Sequence, residues 1–177
     1  MNITVYLGAC EGCDPHLKQA VRELGAWIGA SGNSLVYGGS KTGLMGELAS
    51  AALEAGAEVT GVEPQFFVDS VLQLEGLTRL IVTPDIAQRK AKMIELGDAF
   101  VAFPGGTGTL EEISQIISMI GLGQLDAPCV FYNLNGYYNP MAEQLDRMLA
   151  CDLTSPERLQ GISFARNLDE LVACLQA

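Results

Sequence analysis

The chain has 177 residues, 49% of them apolar, which is long enough for one domain with its own core and too apolar for a disordered polypeptide. Ten Lys and Arg against 21 Asp and Glu leave a formal net charge of −11. That surface repels phosphate backbones and offers no basic face to a lipid headgroup, so neither nucleic acid nor membrane is expected as a partner.

In chain order, Ile3-Thr4-Val5-Tyr6-Leu7 reads as a buried strand ending at Gly8. The N-terminus has no basic region of a signal peptide, and apolar runs such as Ala99–Phe103 fall far short of the ~18 residues of a membrane span. A cytoplasmic protein is expected. Residues 15–30 predict a helix with Leu17, Val21, Leu24 and Ile28 on one stripe. Ser34–Tyr37 predicts a second strand, ended by Gly38-Gly39, and Leu44–Glu54 an Ala-rich, well-buried helix. Ala57–Val62 and Leu80–Val82 predict the third and fourth strands, with 65–76 fitting neither pattern. Asp85 is the expected N-cap of a helix to Leu96. Ala99–Phe103 predicts a fifth strand, Thr109–Ile120 a helix, Cys129–Tyr132 a sixth strand and Pro140–Leu149 a helix. A short seventh strand around Ile162–Phe164 and a helix over 168–175 complete the pattern.

Strands that alternate with helices and are continuously apolar form a parallel sheet covered on both faces. The expected fold is α/β: a single Rossmann-like, doubly wound domain over residues 1–177, with a mostly parallel sheet of about seven strands. In such sheets ligands bind beyond the carboxyl ends of the strands. The glycine clusters at 38–46 and 105–108, drawn from 20 glycines in all, fall at such ends. They are places where backbone must turn sharply or approach a ligand closely.

Phe103-Pro104-Gly105-Gly106-Thr107-Gly108-Thr109-Leu110-Glu111-Glu112 carries the strongest signal. A strand end, a glycine loop and a helix start aim free N–H groups and a helix dipole outward, which suits a phosphate, and Thr107 and Thr109 add hydroxyls. The plain alternative is a strand-to-helix turn. The spacing is neither the dinucleotide G-x-G-x-x-G nor a P-loop. Helical steps put Glu111 on a polar face with Ser114, Gln115 and Ser118, and Glu112 beside the stripe of Ile113, Ile116, Ile117 and Ile120. Glu112 is therefore expected to turn inward beside the loop, where a carboxylate is costly unless used or paired.

Arg89 interrupts the apolar stripe of Ile86 and Met93, and Lys90 is nearly as inward. Arg89 can clamp a phosphate, pair with Glu112, or simply lie over the helix edge. In the second glycine segment, Tyr37–Gly46, Ser40 and Thr42 can donate to a ribose or phosphate. Gly8-Ala9-Cys10 would flank the same crevice. Cys10 and Cys13 have C-x-x-C spacing without a second pair and read as free thiols. Five cysteines and one histidine, His16, give no zinc framework and no Ser-His-Asp triad, so neither a metal nor another cofactor is expected.

At these residues the sequence resembles the LOG ("lonely guy") family of cytokinin riboside 5′-monophosphate phosphoribohydrolases, often labelled lysine decarboxylase-like. Pro104–Glu112 meets its P-G-G-x-G-T-x-x-E signature, Arg89-Lys90 its R-K pair, and Tyr37–Gly46 its Y-G-G-x-x-x-G-L-M-G segment. The resemblance implies hydrolysis of the N-glycosidic bond of AMP or an N6-substituted adenine nucleotide to free base and ribose 5-phosphate. It implies Arg89 and Glu112 as catalytic residues and a homodimer with the site near the interface. Gly8, Gly39, Ser40, Lys90 and Gly105–Thr109 (Gly105, Gly106, Thr107, Gly108, Thr109) then bind the nucleotide. Nothing in the sequence suggests a lysine-anchored pyridoxal phosphate site. The chain departs from the family at Ile86-Ala87, where Met-His is usual, at Val71, where many members carry a glutamate, at Thr107, where an aromatic is common, and at Ala9-Cys10 in place of Ser-Ser. These departures concern the base pocket and leave base preference open. The rival reading is a non-catalytic nucleotide or cofactor carrier of the same fold, which would have no need of the Arg89/Glu112 pair.

Overall fold

A computed structural model describes residues 1–70 and 72–176. Seven strands form one sheet: β1 (Asn2–Tyr6), β2 (Ser34–Tyr37), β3 (Val59–Pro64), β4 (Arg79–Thr83), β5 (Ala99–Ala102), β6 (Cys129–Tyr132) and β7 (Ile162–Ala165). Their order is β4-β3-β2-β1-β5-β6-β7, and all six pairings are parallel. The chain winds outward from β1 in one direction, returns, and winds outward from β5 in the other. The crevice of a doubly wound sheet opens where that direction reverses, between β1 and β5.

The helices are α1 (His16–Ala30), α2 (Gly43–Glu54), α3 (Gln65–Val68), α4 (Ile86–Leu96), α5 (Thr107–Gly121), α6 (Asn139–Ala150) and α7 (Leu168–Leu175). Successive strand residues feed opposite faces of the sheet. Ile3, Val5, Leu35, Val101 and Val130 join α1, α2 and α7 in one core, with Leu24, Leu48 and Leu171 among its members. Tyr6, Val36, Phe100, Ala102 and Phe131 join α4 and α5 in the other, through Met93, Ile113 and Ile116. Burial on both faces is why the strands read as unbroken apolar runs.

The sequence expectations hold for the fold class and for every predicted element, with shifted ends. β1 stops at Tyr6, not Leu7. β3 runs over Val59–Pro64 rather than 57–62. Helix α5 starts at Thr107, two residues before the expected Thr109, because Gly106 adopts the extended N-cap conformation and Leu110 N–H already bonds its carbonyl. The segment 65–76 holds the single turn α3 and then a bridge between Ser40 and Gln73, closed by Lys41 N–H to the Leu72 carbonyl and Leu74 N–H to that of Gly39. Val71, where the sequence departs from the LOG pattern, lies outside the described residues. Among the described residues no helix is long and apolar enough to cross a membrane.

Candidate active site

The ends of β1, β2, β3 and β5 surround a cavity of about 610 Å³. One side is the glycine loop. Gly8 N–H bonds the Pro104 carbonyl across the β1–β5 gap at 3.4 Å. Gly105 packs so tightly on the Thr109 hydroxyl and Gly8 that a Cβ there would collide with both. Behind it stand the first turns of α5, whose leading N–H groups have no acceptor within the helix and carry the positive end of its dipole. Gly106, Thr107 and Gly108 are exposed, and Thr109 is buried. Tyr137, from the loop after β6, donates its hydroxyl to the Gly105 carbonyl at 2.5 Å and closes that rim. The loop is held in turn by Asn135, which donates to Asp14 at 2.8 Å.

The floor is ionic. Arg89 and Glu112 are both buried, 8% and 7% exposed, and Arg89 Nη1 donates to Glu112 Oε1 at 2.6 Å. Arg89 Nε also donates to the Val62 carbonyl at 2.9 Å, which ties α4 to the end of β3. The guanidinium therefore lies across the cavity floor instead of extending over the helix edge. Burial pushes the Glu112 carboxyl above its ordinary range, and the Arg89 charge and hydrogen bond pull the other way. Glu111, exposed as its spacing implies, lines the cavity and pairs with Lys90, which is not among the lining residues. Lys92 pairs with Glu95 at 2.8 Å on the outer face of α4.

Of the residues singled out from the sequence, Gly8, Ser40, Arg89, Gly105–Thr109 and Glu112 line one cavity. Lys90 faces Glu111, and Gly39 is buried and not among the lining residues. Ser40 and Thr42 share a hydrogen bond of 2.9 Å at the rim, whereas Lys41 is exposed. Cys10 lines the cavity, Cys13 is exposed, and all five cysteines are unpaired. His16 bonds Asp14 at 2.8 Å on the surface.

Sequence reasoning missed Glu63. It is the penultimate residue of β3 at 1% exposure, lines the cavity, and its Oε2 has no hydrogen-bond partner. Gly39 makes room for it: at φ +87° its backbone suits glycine, and a Cβ there would stand 2.5 Å from Glu63 Cγ. Burial raises the Glu63 carboxyl, opposed by the charge of Arg89. The available signal was a carboxylate at the carboxyl end of an apolar strand, where ligands bind. The remaining lining includes an apolar patch of Leu44, Met45, Phe67 and Leu72 that suits the face of a planar ring.

Residues 45–175 match a family model described as "possible lysine decarboxylase". A cytokinin riboside 5′-monophosphate phosphoribohydrolase of Rhodococcoides fascians is 37% identical over 99% of this chain and 89% of its own. The enzyme of the same name, LOG1, of Arabidopsis thaliana is 36% identical over 98% of this chain and 82% of its own. Among solved structures, the molybdenum cofactor carrier protein of Chlamydomonas reinhardtii superposes with a TM-score of 0.75 over 99% of this chain and 95% of its own. At 22% identity that likeness shows the fold.

Proposed function

The chain belongs to the family described as possible lysine decarboxylase, the LOG family, and on that membership and the site's geometry we propose that it is a hydrolase of nucleoside 5′-monophosphates. It cleaves the N-glycosidic bond of AMP or an N6-substituted adenine nucleotide to free base and ribose 5-phosphate. The observation that carries this reading is the buried Arg89–Glu112 pair, at 2.6 Å, in the same cavity as the N-terminus of α5. A carrier needs the phosphate cradle, whereas a buried ion pair in a ligand cavity is costly and marks chemistry. Schiff-base chemistry fits poorly, since Arg89 is the cation among the described lining residues and Lys90 is engaged by Glu111.

In this mechanism the N–H groups of Gly106–Thr109 and the Thr107 and Thr109 hydroxyls hold the 5′-phosphate, with Gly8 and Ser40 on the facing rim and Gly39 shaping the floor. Binding the phosphate away from the reacting bond positions the ribose for reaction. As the bond to the base lengthens, C1′ takes on oxocarbenium character. The Glu112 carboxylate stabilises it and orients the attacking water, and Arg89 holds Glu112 in place. One domain spanning 1–177 supplies these groups. Five unpaired thiols support a cytoplasmic setting. Leu80 and Val82 on the edge strand β4, with Phe66 and Phe67 of the adjoining α3, leave an apolar face exposed, which supports a homodimer through that edge.

The test is chromatography of AMP incubated with the purified protein and with Glu112→Gln and Glu111→Gln variants. Free adenine should appear with the parent and with Glu111→Gln. Glu112→Gln should lose turnover while binding AMP within a few-fold of the parent. Binding of AMP without release of adenine by the parent would replace the hydrolase reading with the carrier.

A further inference from the structure

Cleaving a glycosidic bond to a purine leaves two electrons on the base, and expelling an anionic base is slow unless a proton arrives with them. Glu112 is committed elsewhere, its Oε1 fixed by Arg89. Glu63 is the second buried carboxyl in the cavity; the third lining carboxylate, Glu111, is exposed and paired with Lys90. Arg89 spans the two buried ones, donating to Glu112 through Nη1 and to the carbonyl of Val62, the residue before Glu63, through Nε. The guanidinium thus hydrogen-bonds one carboxyl and not the other, and Glu63 Oε2 is buried with no partner. Buried carboxyls in one cavity that differ in this way have their affinities for a proton pushed apart, and the one without a hydrogen-bonded cation is the better placed to hold it. The titratable groups facing Glu63 are Arg89 from α4 and Tyr37 from β2, whose own hydroxyl is buried and unpartnered. Glu63 also stands next to the end of the strand that leads directly into α3, whose Phe67 belongs to the apolar lining suited to the base.

We propose, on the strength of the hydrolase reading above, that Glu63 is the acid that protonates the departing base. The C1′–N bond breaks and its electron pair goes to the base nitrogen, which takes the Glu63 proton. The water oxygen bonds to C1′ and its proton passes to Glu112. Exchange of that proton with solvent restores the Glu63 acid and the Glu112 carboxylate. Glu63→Gln keeps the shape and polarity of the side chain but cannot deliver a proton.

The experiment compares parent and Glu63→Gln on AMP and on p-nitrophenyl ribofuranoside 5-phosphate, whose phenolate departs without protonation. The pH profile of kcat on AMP is recorded for both. Glu63→Gln should lower kcat on AMP by about 10²–10⁴-fold with AMP affinity kept within a few-fold, and cleave the p-nitrophenyl substrate within a few-fold of the parent. The parent's kcat on AMP should fall on the alkaline side, and the variant should lack that fall. AMP turnover by Glu63→Gln within threefold of the parent would overturn the assignment. So would equal losses on both substrates with an unchanged pH profile, which mark a structural role. A parent that releases no adenine fails the hydrolase reading itself, before any variant is compared.

Discussion

Arg89 carries more of this site than its single charge suggests. It reaches Glu112, the end of β3 and the field of Glu63 at once, at 8% exposure. Arg89→Met would strand buried carboxyls without their cation and should cost about 3–5 kcal/mol in urea denaturation. Adding Glu112→Gln to that variant should recover part of the loss, since the two side chains form one unit. Glu63 gives a prediction of opposite sign. Its folded pKa is raised by burial, so the folded state binds the proton more tightly than the unfolded chain does. Stability is full below the unfolded value and falls as pH rises through the folded one. Glu63→Gln should therefore melt higher than the parent at alkaline pH, with the gap closing below the ordinary glutamate range, as thermal melts across pH will show. Arg89 and Glu112 were legible in the sequence because a helix has two distinct faces and each residue interrupts or borders an apolar stripe. Glu63 was not. In a strand covered on both sides alternation does not separate inside from outside, and ending β3 at Val62 left Glu63 in an unread segment.

At the scale of elements, the site depends on how three chain segments are terminated. α4 is capped by Asp85, whose Oδ1 accepts from Gln88 N–H at 2.8 Å, one turn before Arg89 enters the floor. That cap was readable because a short polar acceptor stood directly ahead of an apolar-periodic run. Asp85→Ala should lower the melting temperature by about 2–4 °C, and Asp85→Asn, which can still accept the bond, should restore most of it. The start of α5 was misread by one half-turn, because Thr107 and Gly108 are poor helix formers whose place in the helix is set by the Gly106 cap and by packing of Thr109. The loop after β6 gave no motif at all. Its contribution, Tyr137 against the Gly105 carbonyl, is a contact across 32 residues that no local pattern encodes. Removing it in Tyr137→Phe should raise KM for the nucleotide about 3–10-fold with little change in kcat, as steady-state kinetics will show.

The whole molecule sets conditions that no part reveals. A formal charge of −11 opposes an anionic substrate everywhere except at the α5 terminus and Arg89. Raising salt from about 0.02 to 0.15 M should shorten the reach of that repulsion and lower KM for AMP. If the β4 edge joins two chains, sedimentation should give twice the 18.8 kDa of one chain, and Val82→Lys should give the single mass. The fold class was legible because strand and helix patterns alternate along the entire chain, but strand order was not, since the reversal at β1 is a property of the assembled sheet. That reversal also bears on how the protein is born. β1 meets β5 only through pairs such as Ile3 with Ala99, so the strand at the centre of the finished sheet waits for its second neighbour while about a hundred further residues are made. At ordinary rates of synthesis that interval is about 5–20 s. During it, β1 to β4 can assemble on the ribosome with a bare inner edge of unpaired backbone groups, the kind of edge that recruits other nascent chains. A chain whose β5 has yet to join thus displays an adhesive half-sheet, and Arg89 on α4 stays without its carboxylate partner until α5, the helix after β5, is in place.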